Sequence, residues 1–144
     1  MDIISLGKGK CSLHYLELND GNSLDSFLEI QQEMDENAVL KFTDYLSQVT
    51  KVANCLKSLG KSFYKPLESS IDGLFEIKKG KIRLICLEVF DGKTIIIVRS
   101  FIKKDKKQQS REIKKAEQYI RELNLHNKAV LENANWIDIE KTKG

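Results

Sequence analysis

Over residues 36–59 the apolar side chains recur at steps of three and four. Val39, Phe42, Leu46, Val49, Ala53 and Leu56 fall on one stripe, and this spacing predicts an amphipathic helix. Gly60 follows as a stop, since a residue without Cβ enters the left-handed conformation that ends helices. Upstream, Ser23 can cap a shorter helix carrying Leu24, Phe27, Leu28 and Gln31. Asp20-Gly21-Asn22 marks a turn before it, and residues 11–18, with Leu13, Tyr15 and Leu18, read as a first strand. Residues 1–10, with two glycines and two lysines, read as a loose extension or a short edge element.

The period changes after a polar loop over residues 61–72, which holds the single proline, Pro66, and the pair Ser69-Ser70. Leu74, Phe75 and Ile77 precede a turn signal at Lys79-Gly80. Ile82 to Phe90 is mostly apolar, as expected of a central strand covered on both faces. Asp91-Gly92 signals a two-residue hairpin turn, and Thr94 to Ile102 is a second run rich in β-branched residues. These runs predict a three-stranded antiparallel meander. Ser110 can cap a last helix, with Glu112 near its positive end and Ile113, Ala116, Ile120 and Leu123 as its buried stripe. Asn124 to Asn127 end it, and the tail from 134, with Trp136, Ile137 and Ile139, has apolar side chains that can dock.

The pattern is therefore α+β: an N-terminal strand and a three-stranded meander in an antiparallel-rich sheet, packed against two N-terminal helices and a C-terminal helix. A length of 144 residues fits one domain over 1–144, large enough to fold without disulfides or metal. Cys11, Cys55 and Cys86 form an odd set with no CxxC spacing, which suits a reducing cytosol, and Cys86 lies in an apolar run as a buried thiol would. The sequence has no signal-peptide pattern and no long apolar segment, so the expectation is a cytoplasmic protein without membrane contact.

Charge adds what periodicity does not. The net charge is +3, but it is segregated. Residues 1–72 carry 7 Lys/Arg against 11 Asp/Glu, residues 73–121 carry 14 against 6, and the remainder carries 3 against 4. A section with a net charge of +8 points to a polyanionic partner or to a merely solvated basic face.

The turns also suggest a register. With Asp91-Gly92 as a two-residue loop, Phe90 pairs with Lys93 and Arg83 lies opposite Ser100, so Arg83, Ser100, Ile102 and Lys104 share a face. With Lys79-Gly80 as a second such loop, Lys78 pairs with Lys81, Glu76 lies opposite Arg83, and both lysines join that face. A one-residue slip would scatter the group. Converging cations suit a phosphate, because the guanidinium fork matches two phosphate oxygens and fixed charge stabilises a phosphorane more than its ground state. A site that only binds needs the same cations.

Several stretches carry a resemblance: Gly73-Leu74-Phe75-Glu76-Ile77, then Ile82-Arg83-Leu84-Ile85, then Phe101-Ile102-Lys103-Lys104 followed by Glu112-Ile113 and Ala116. In this order they resemble the phage-derived HigB-like branch of the RelE/ParE toxin superfamily, over about residues 11–124. The resemblance implies a RelE-like fold and the toxin of a type II toxin–antitoxin pair. Many such toxins cut mRNA in the ribosomal A site, without metal or cofactor. A helix-turn-helix antitoxin usually neutralises them, and operator DNA is reached only through that antitoxin.

Carried over residue by residue, the resemblance makes Arg83 the phosphate-stabilising arginine, Lys78 the lysine of the preceding strand and Lys104 the basic residue beyond the last strand. Lys81, Lys103, Lys106, Lys107 and Arg111 are then expected to contact ribosomal RNA. Glu76 stands where some RelE members have a second lysine, and Ser110 where they have a tyrosine. His14 and His126 lie away from this site and read as structural or exposed residues. Lys78 or Glu76 is the candidate for proton transfer, although a Glu76–Arg83 ion pair is the plainer expectation. Tyr119 reads first as core packing, with base stacking as the other option. The competing reading is a non-nuclease toxin, either a ParE-like binder of DNA gyrase or a degenerate phage protein that only binds its antitoxin. A simple RNA-binding module ranks last, because Phe75, Phe90 and Phe101 all sit at core positions rather than forming an exposed stacking pair.

Overall fold

The computed structural model describes residues 1–8, 12–18, 21–22 and 64–137. The two N-terminal helices expected from Ser23 and over 36–59, the stop at Gly60, and Cys11 and Cys55 lie outside these residues. In chain order the strands are β1 (Asp2–Lys8), β2 (Ser12–Leu18), β3 (Gly21–Asn22), β4 (Tyr64–Pro66), β5 (Leu74–Lys79), β6 (Ile82–Val89) and β7 (Thr94–Ile102). Two helices follow, α1 (Lys106–Leu123) and α2 (Lys128–Glu132), and then β8 (Asn135–Ile137).

All eight strands join one mixed sheet of order β4-β5-β6-β7-β2-β1-β8, with β3 paired to β2. The predicted meander forms as β5-β6-β7, antiparallel throughout. The N-terminal strand joins it in parallel, β2 against β7. Thus the α+β class and the C-terminal helix agree with the sequence pattern, but the sheet is wider than the four strands expected.

The extra strands correct two expectations and bear out a third. Residues 2–8 form no loose extension; they pair antiparallel with β2 and are bracketed by β8. A bulge between Ser5 and Gly7 takes up the irregular spacing there. The tail docks, as its apolar side chains suggest, over its described part, which ends at Ile137: β8 lies parallel to β1, and Trp136 donates from Nε1 to the Leu131 carbonyl. The polar loop over 61–72 contains β4, which tolerates Pro66 because it lies at the end of the sheet path.

The core lies between the sheet and the helices. Leu74, Ile85, Leu87, Ile96, Val98 and Phe101 pack with Ala116 and Ile120 of α1 and with Leu125 and Leu131. Ile113, Tyr119 and Leu123 are half-buried against this cluster, so Tyr119 serves packing. Each fully buried aliphatic side chain contributes about 1.5–3 kcal/mol. The other face of the meander, with Phe75, Ile77, Leu84, Cys86, Ile95 and Ile97, is buried too, as the near-continuous apolar run predicts.

The helix starts earlier than expected. Asp105, not Ser110, is the N-cap, and its carboxylate accepts from the Gln108 amide at 2.8 Å. The lysine-rich first turn has no apolar period to reveal it. Consequently Glu112 is in the second turn, buried against the sheet, instead of near the helix dipole. Asn124 ends the helix in the left-handed conformation, φ 54°.

The register departs from expectation in two places. Asp91 and Gly92 do form the hairpin turn, with φ of 60° and 79° and Lys93 N donating to the Phe90 carbonyl. The expected pairing then holds from Val89↔Thr94 to Cys86↔Ile97. A bulge follows between Ile85 and Cys86, where Ile85 faces Arg99, so that Val98 is the extra residue. Beyond it Arg83 faces Phe101, not Ser100. At the other turn, Gly80 (φ 57°) takes the first central position, giving Lys79↔Ile82 and Lys78↔Arg83 in place of Lys78↔Lys81 and Glu76↔Arg83.

Candidate functional site

The bulge decides which side chains accompany Arg83. Side chains alternate along a strand, so Phe101 lies on the Arg83 side of the sheet and Ser100 and Ile102 lie on the other. The ladder continues past β7, with Lys103 N donating to the Lys81 carbonyl at 2.7 Å. This pairing lines up Lys103, rather than Lys104, with Arg83. The expected set of Arg83, Ser100, Ile102 and Lys104 on one face therefore does not form. Lys78 is directly across from Arg83, as Cα partner on β5.

Arg83 is 9% exposed and is held from three directions. Its Nη1 donates to the carbonyls of Gly80, at 2.7 Å, and Ile82, at 2.9 Å. Its Nε faces Glu76 Oε1 at 3.4 Å, an ionic contact without hydrogen-bond geometry. The remaining nitrogen, Nη2, makes no hydrogen bond among the described residues. Glu76 is fully buried, and its second oxygen accepts from Gln109 Nε2 of α1 at 2.6 Å. The ion-pair reading of Glu76 thus holds, although the two residues are diagonal neighbours and not directly opposite.

A second polar tie joins the same layers. Arg99 of β7 pairs with Glu112 of α1, which also meets Lys115 at 3.8 Å. Around these ties lies a basic surface. Lys81, Lys104, Lys106, Lys107, Arg111, Lys114 and Lys115 are exposed, and Lys78 and Lys103 are half-buried. Among large apolar side chains of the described residues, only Met1 is exposed, so this surface offers charge without an aromatic platform.

Two site residues were missed from the sequence. Arg99 is a lone charge inside a β-branched run, and that mismatch was a usable signal. Gln109 gave none, because its role depends on where α1 starts. His14 is buried on β2, with Nε2 2.9 Å from Ser12 Oγ and its ring edge-on to Trp136, while His126 is exposed after α1. A cavity of about 950 Å³ lies towards the far end of α1, lined by Leu87, Phe90, Arg121 and His126 among others, and by none of the expected site residues. Among the described residues no cluster of three His, Cys, Asp or Glu is placed to hold a metal ion, and no helix is long and apolar enough to cross a membrane.

Residues 32–121 match the family described as phage-derived protein Gp49-like (DUF891). The chain belongs to this family. Gp49-like proteins are a toxin-like family related to the RelE/HigB toxin group. The matched span of this Gp49-like chain takes in β4 to β7 and nearly all of α1, and therefore Glu76, Lys78, Arg83, Arg99, Gln109 and Glu112. Strands β1, β2, β3 and β8 and helix α2 lie outside it. No curated protein matches the chain.

Proposed function

We propose that this Gp49-like chain is the toxin of a type II toxin–antitoxin pair, acting in the cytoplasm as a ribosome-dependent mRNA endoribonuclease. The observation that carries this reading is the state of Arg83. Its guanidinium is held through Nη1 and faces Glu76 through Nε, Nη2 makes no hydrogen bond among the described residues, and Lys78 is its cross-strand partner. A pre-oriented cation costs no reorganisation when charge develops on a phosphate.

In the proposed step the 2′-oxygen bonds to phosphorus as the bond to the 5′-oxygen breaks. One product ends in a 2′,3′-cyclic phosphate and the other begins with a 5′-hydroxyl. Arg83 holds the scissile phosphate, Lys78 takes the adjacent phosphate or moves the proton, and the phosphorane charge falls to Lys103, in line with Arg83, with Lys104 beside it. Lys81, Lys106, Lys107 and Arg111 hold ribosomal RNA through its phosphates. No cofactor enters this scheme. A helix-turn-helix antitoxin would neutralise the protein and connect it to operator DNA.

The test is a cell-free translation reaction with mRNA ends mapped. Cleavage at codon-linked positions is expected, reduced on the order of 100-fold in Arg83→Ala. Binding to ribosomes should weaken steeply with salt, and each of Lys104→Ala, Lys106→Ala and Lys107→Ala should reduce the log–log salt slope by roughly one unit for a direct phosphate contact. Intact mRNA under translational arrest would sink the nuclease reading.

A second reading has its own support. The low exposure of Arg83 and its compensation by Glu76 favour a toxin that binds its target without cutting RNA. Intact mRNA with rising DNA-damage signalling supports a gyrase-binding toxin. Harmless expression without antitoxin supports a protein that only binds its antitoxin.

A further inference from the structure

The site contains a buried carboxylate that the proposed chemistry does not use. Glu76 is wholly removed from solvent, on the strand next to Arg83 and beneath α1. Isolated burial of a carboxylate is costly, and such groups persist when paired and hydrogen-bonded. Here one oxygen faces Arg83 Nε and the other receives Gln109. The result is a relay from helix to carboxylate to guanidinium.

We infer that Glu76 and Gln109 are positioning residues for Arg83, setting which edge of its guanidinium meets a phosphate. This inference rests on the nuclease reading for its functional consequence. The geometry supplies the rest. An arginine tied only to the Gly80 and Ile82 carbonyls through Nη1 could still rotate about its outer bonds. A carboxylate 3.4 Å from Nε opposes that rotation by charge attraction, and Nη2 is the nitrogen without a hydrogen bond among the described residues. Gln109 in turn fixes the carboxylate and ties the arrangement to α1, whose exposed face carries Lys106, Lys107 and Arg111. Glu76 touches no substrate in this scheme, and its effect passes entirely through Arg83.

The test uses the full chain with Glu76→Gln, Gln109→Ala and Arg83→Ala, alone and combined. Single-turnover mRNA cleavage on ribosomes should fall on the order of tenfold or more in Glu76→Gln, because a misplacement of about 1 Å at a reacting centre has effects up to roughly a hundredfold. Ribosome affinity should not change. In the Arg83→Ala background, adding Glu76→Gln should cause no further loss, since residues acting through one another are non-additive. Equal losses in both backgrounds would overturn the inference and leave Glu76 a structural residue.

A readout independent of activity separates this idea from the nuclease proposal. The Arg83 Nε–H resonance should be ordered in the wild-type protein and should become measurably more mobile in both Glu76→Gln and Gln109→Ala. Order retained in both variants overturns the positioning role, even if Arg83→Ala abolishes cleavage. Order lost in a protein that cuts no RNA upholds the positioning role and defeats the nuclease reading alone. Gln109→Ala keeps the test valid if Glu76→Gln fails to fold.

Discussion

Arg99 on β7 and Glu112 on α1 form an ion pair that ties the sheet to the helix just beyond the β6–β7 bulge. Their side chains are 20% and 12% exposed, so the pair is neither freely solvated nor sealed. The bulge makes the contact possible. The inserted Val98 remains in the core while Arg99 turns to face Ile85 and the helix.

Removing either partner should therefore destabilise the fold. Glu112→Ala strands a cation at the layer interface, and Arg99→Ala leaves the carboxylate only its longer contact to the exposed Lys115. Each is expected to cost about 2 kcal/mol, in the range for hydrogen bonds to charged groups and below that for a fully buried pair. Urea unfolding should show a lower midpoint with an unchanged slope. A double variant that costs about the same as either single one would show that the stranded charge, more than the lost attraction, sets the penalty.

The turn chemistry was legible where one residue type permits one geometry. Asp91-Gly92 reads as a hairpin and is one, and the pairing it sets runs correctly for four residue pairs. The fault comes at Val98, a β-branched residue among others like it, whose neighbours do not mark it as the inserted one. That single insertion moves Lys103 into the line of Arg83 in place of Lys104. At the other turn both Lys79-Gly80 and Gly80-Lys81 fit the sequence, and only the backbone conformation of Gly80 separates them. Strand β1 was obscured by Gly7 within it and Gly9 just after it, and what draws it into the sheet is pairing with β2 and β8, the latter more than a hundred residues away. Arg83 and Lys78 could be singled out from sequence because charges in a strand next to an apolar run are conspicuous. Gln109 could not, because its partner lies on another element.

Two glycines with positive φ should respond differently to alanine. Gly73 has φ +82°, and a Cβ there would come within 2.9 Å of the Glu88 carbonyl oxygen, a backbone atom fixed in β6. The Gly73 carbonyl also accepts from Glu88 N at 2.9 Å, so neither strand can move away cheaply. Gly80 has φ +57°, and a Cβ there would have nothing within 4 Å. Gly80→Ala is expected to cost about 1 kcal/mol from the left-handed backbone alone. Gly73→Ala adds the steric conflict and should cost about 3 kcal/mol in total. Thermal unfolding of the two variants side by side checks the order, and equal shifts would contradict it.

Cys86 makes stability fall at alkaline pH. Its thiol is fully buried, which raises its pKa well above the usual 9.0, and the carboxylates of Glu76 and Glu88 push it further in the same direction. In the unfolded chain the thiol ionises near 9.0, whereas in the folded protein it remains protonated to higher pH. The folded state then holds the proton that the unfolded state releases. The contribution is complete below the unfolded pKa and is lost as pH rises from there through the folded pKa. Unfolding free energy should therefore decline above pH 9, and Cys86→Ala, although less stable at neutral pH from the lost packing, should decline less steeply. Lysine and tyrosine titrations are common to both proteins, so the difference between the two slopes isolates the thiol. Parallel slopes would mean that Cys86 ionises in the folded state as readily as in the unfolded one, against its burial.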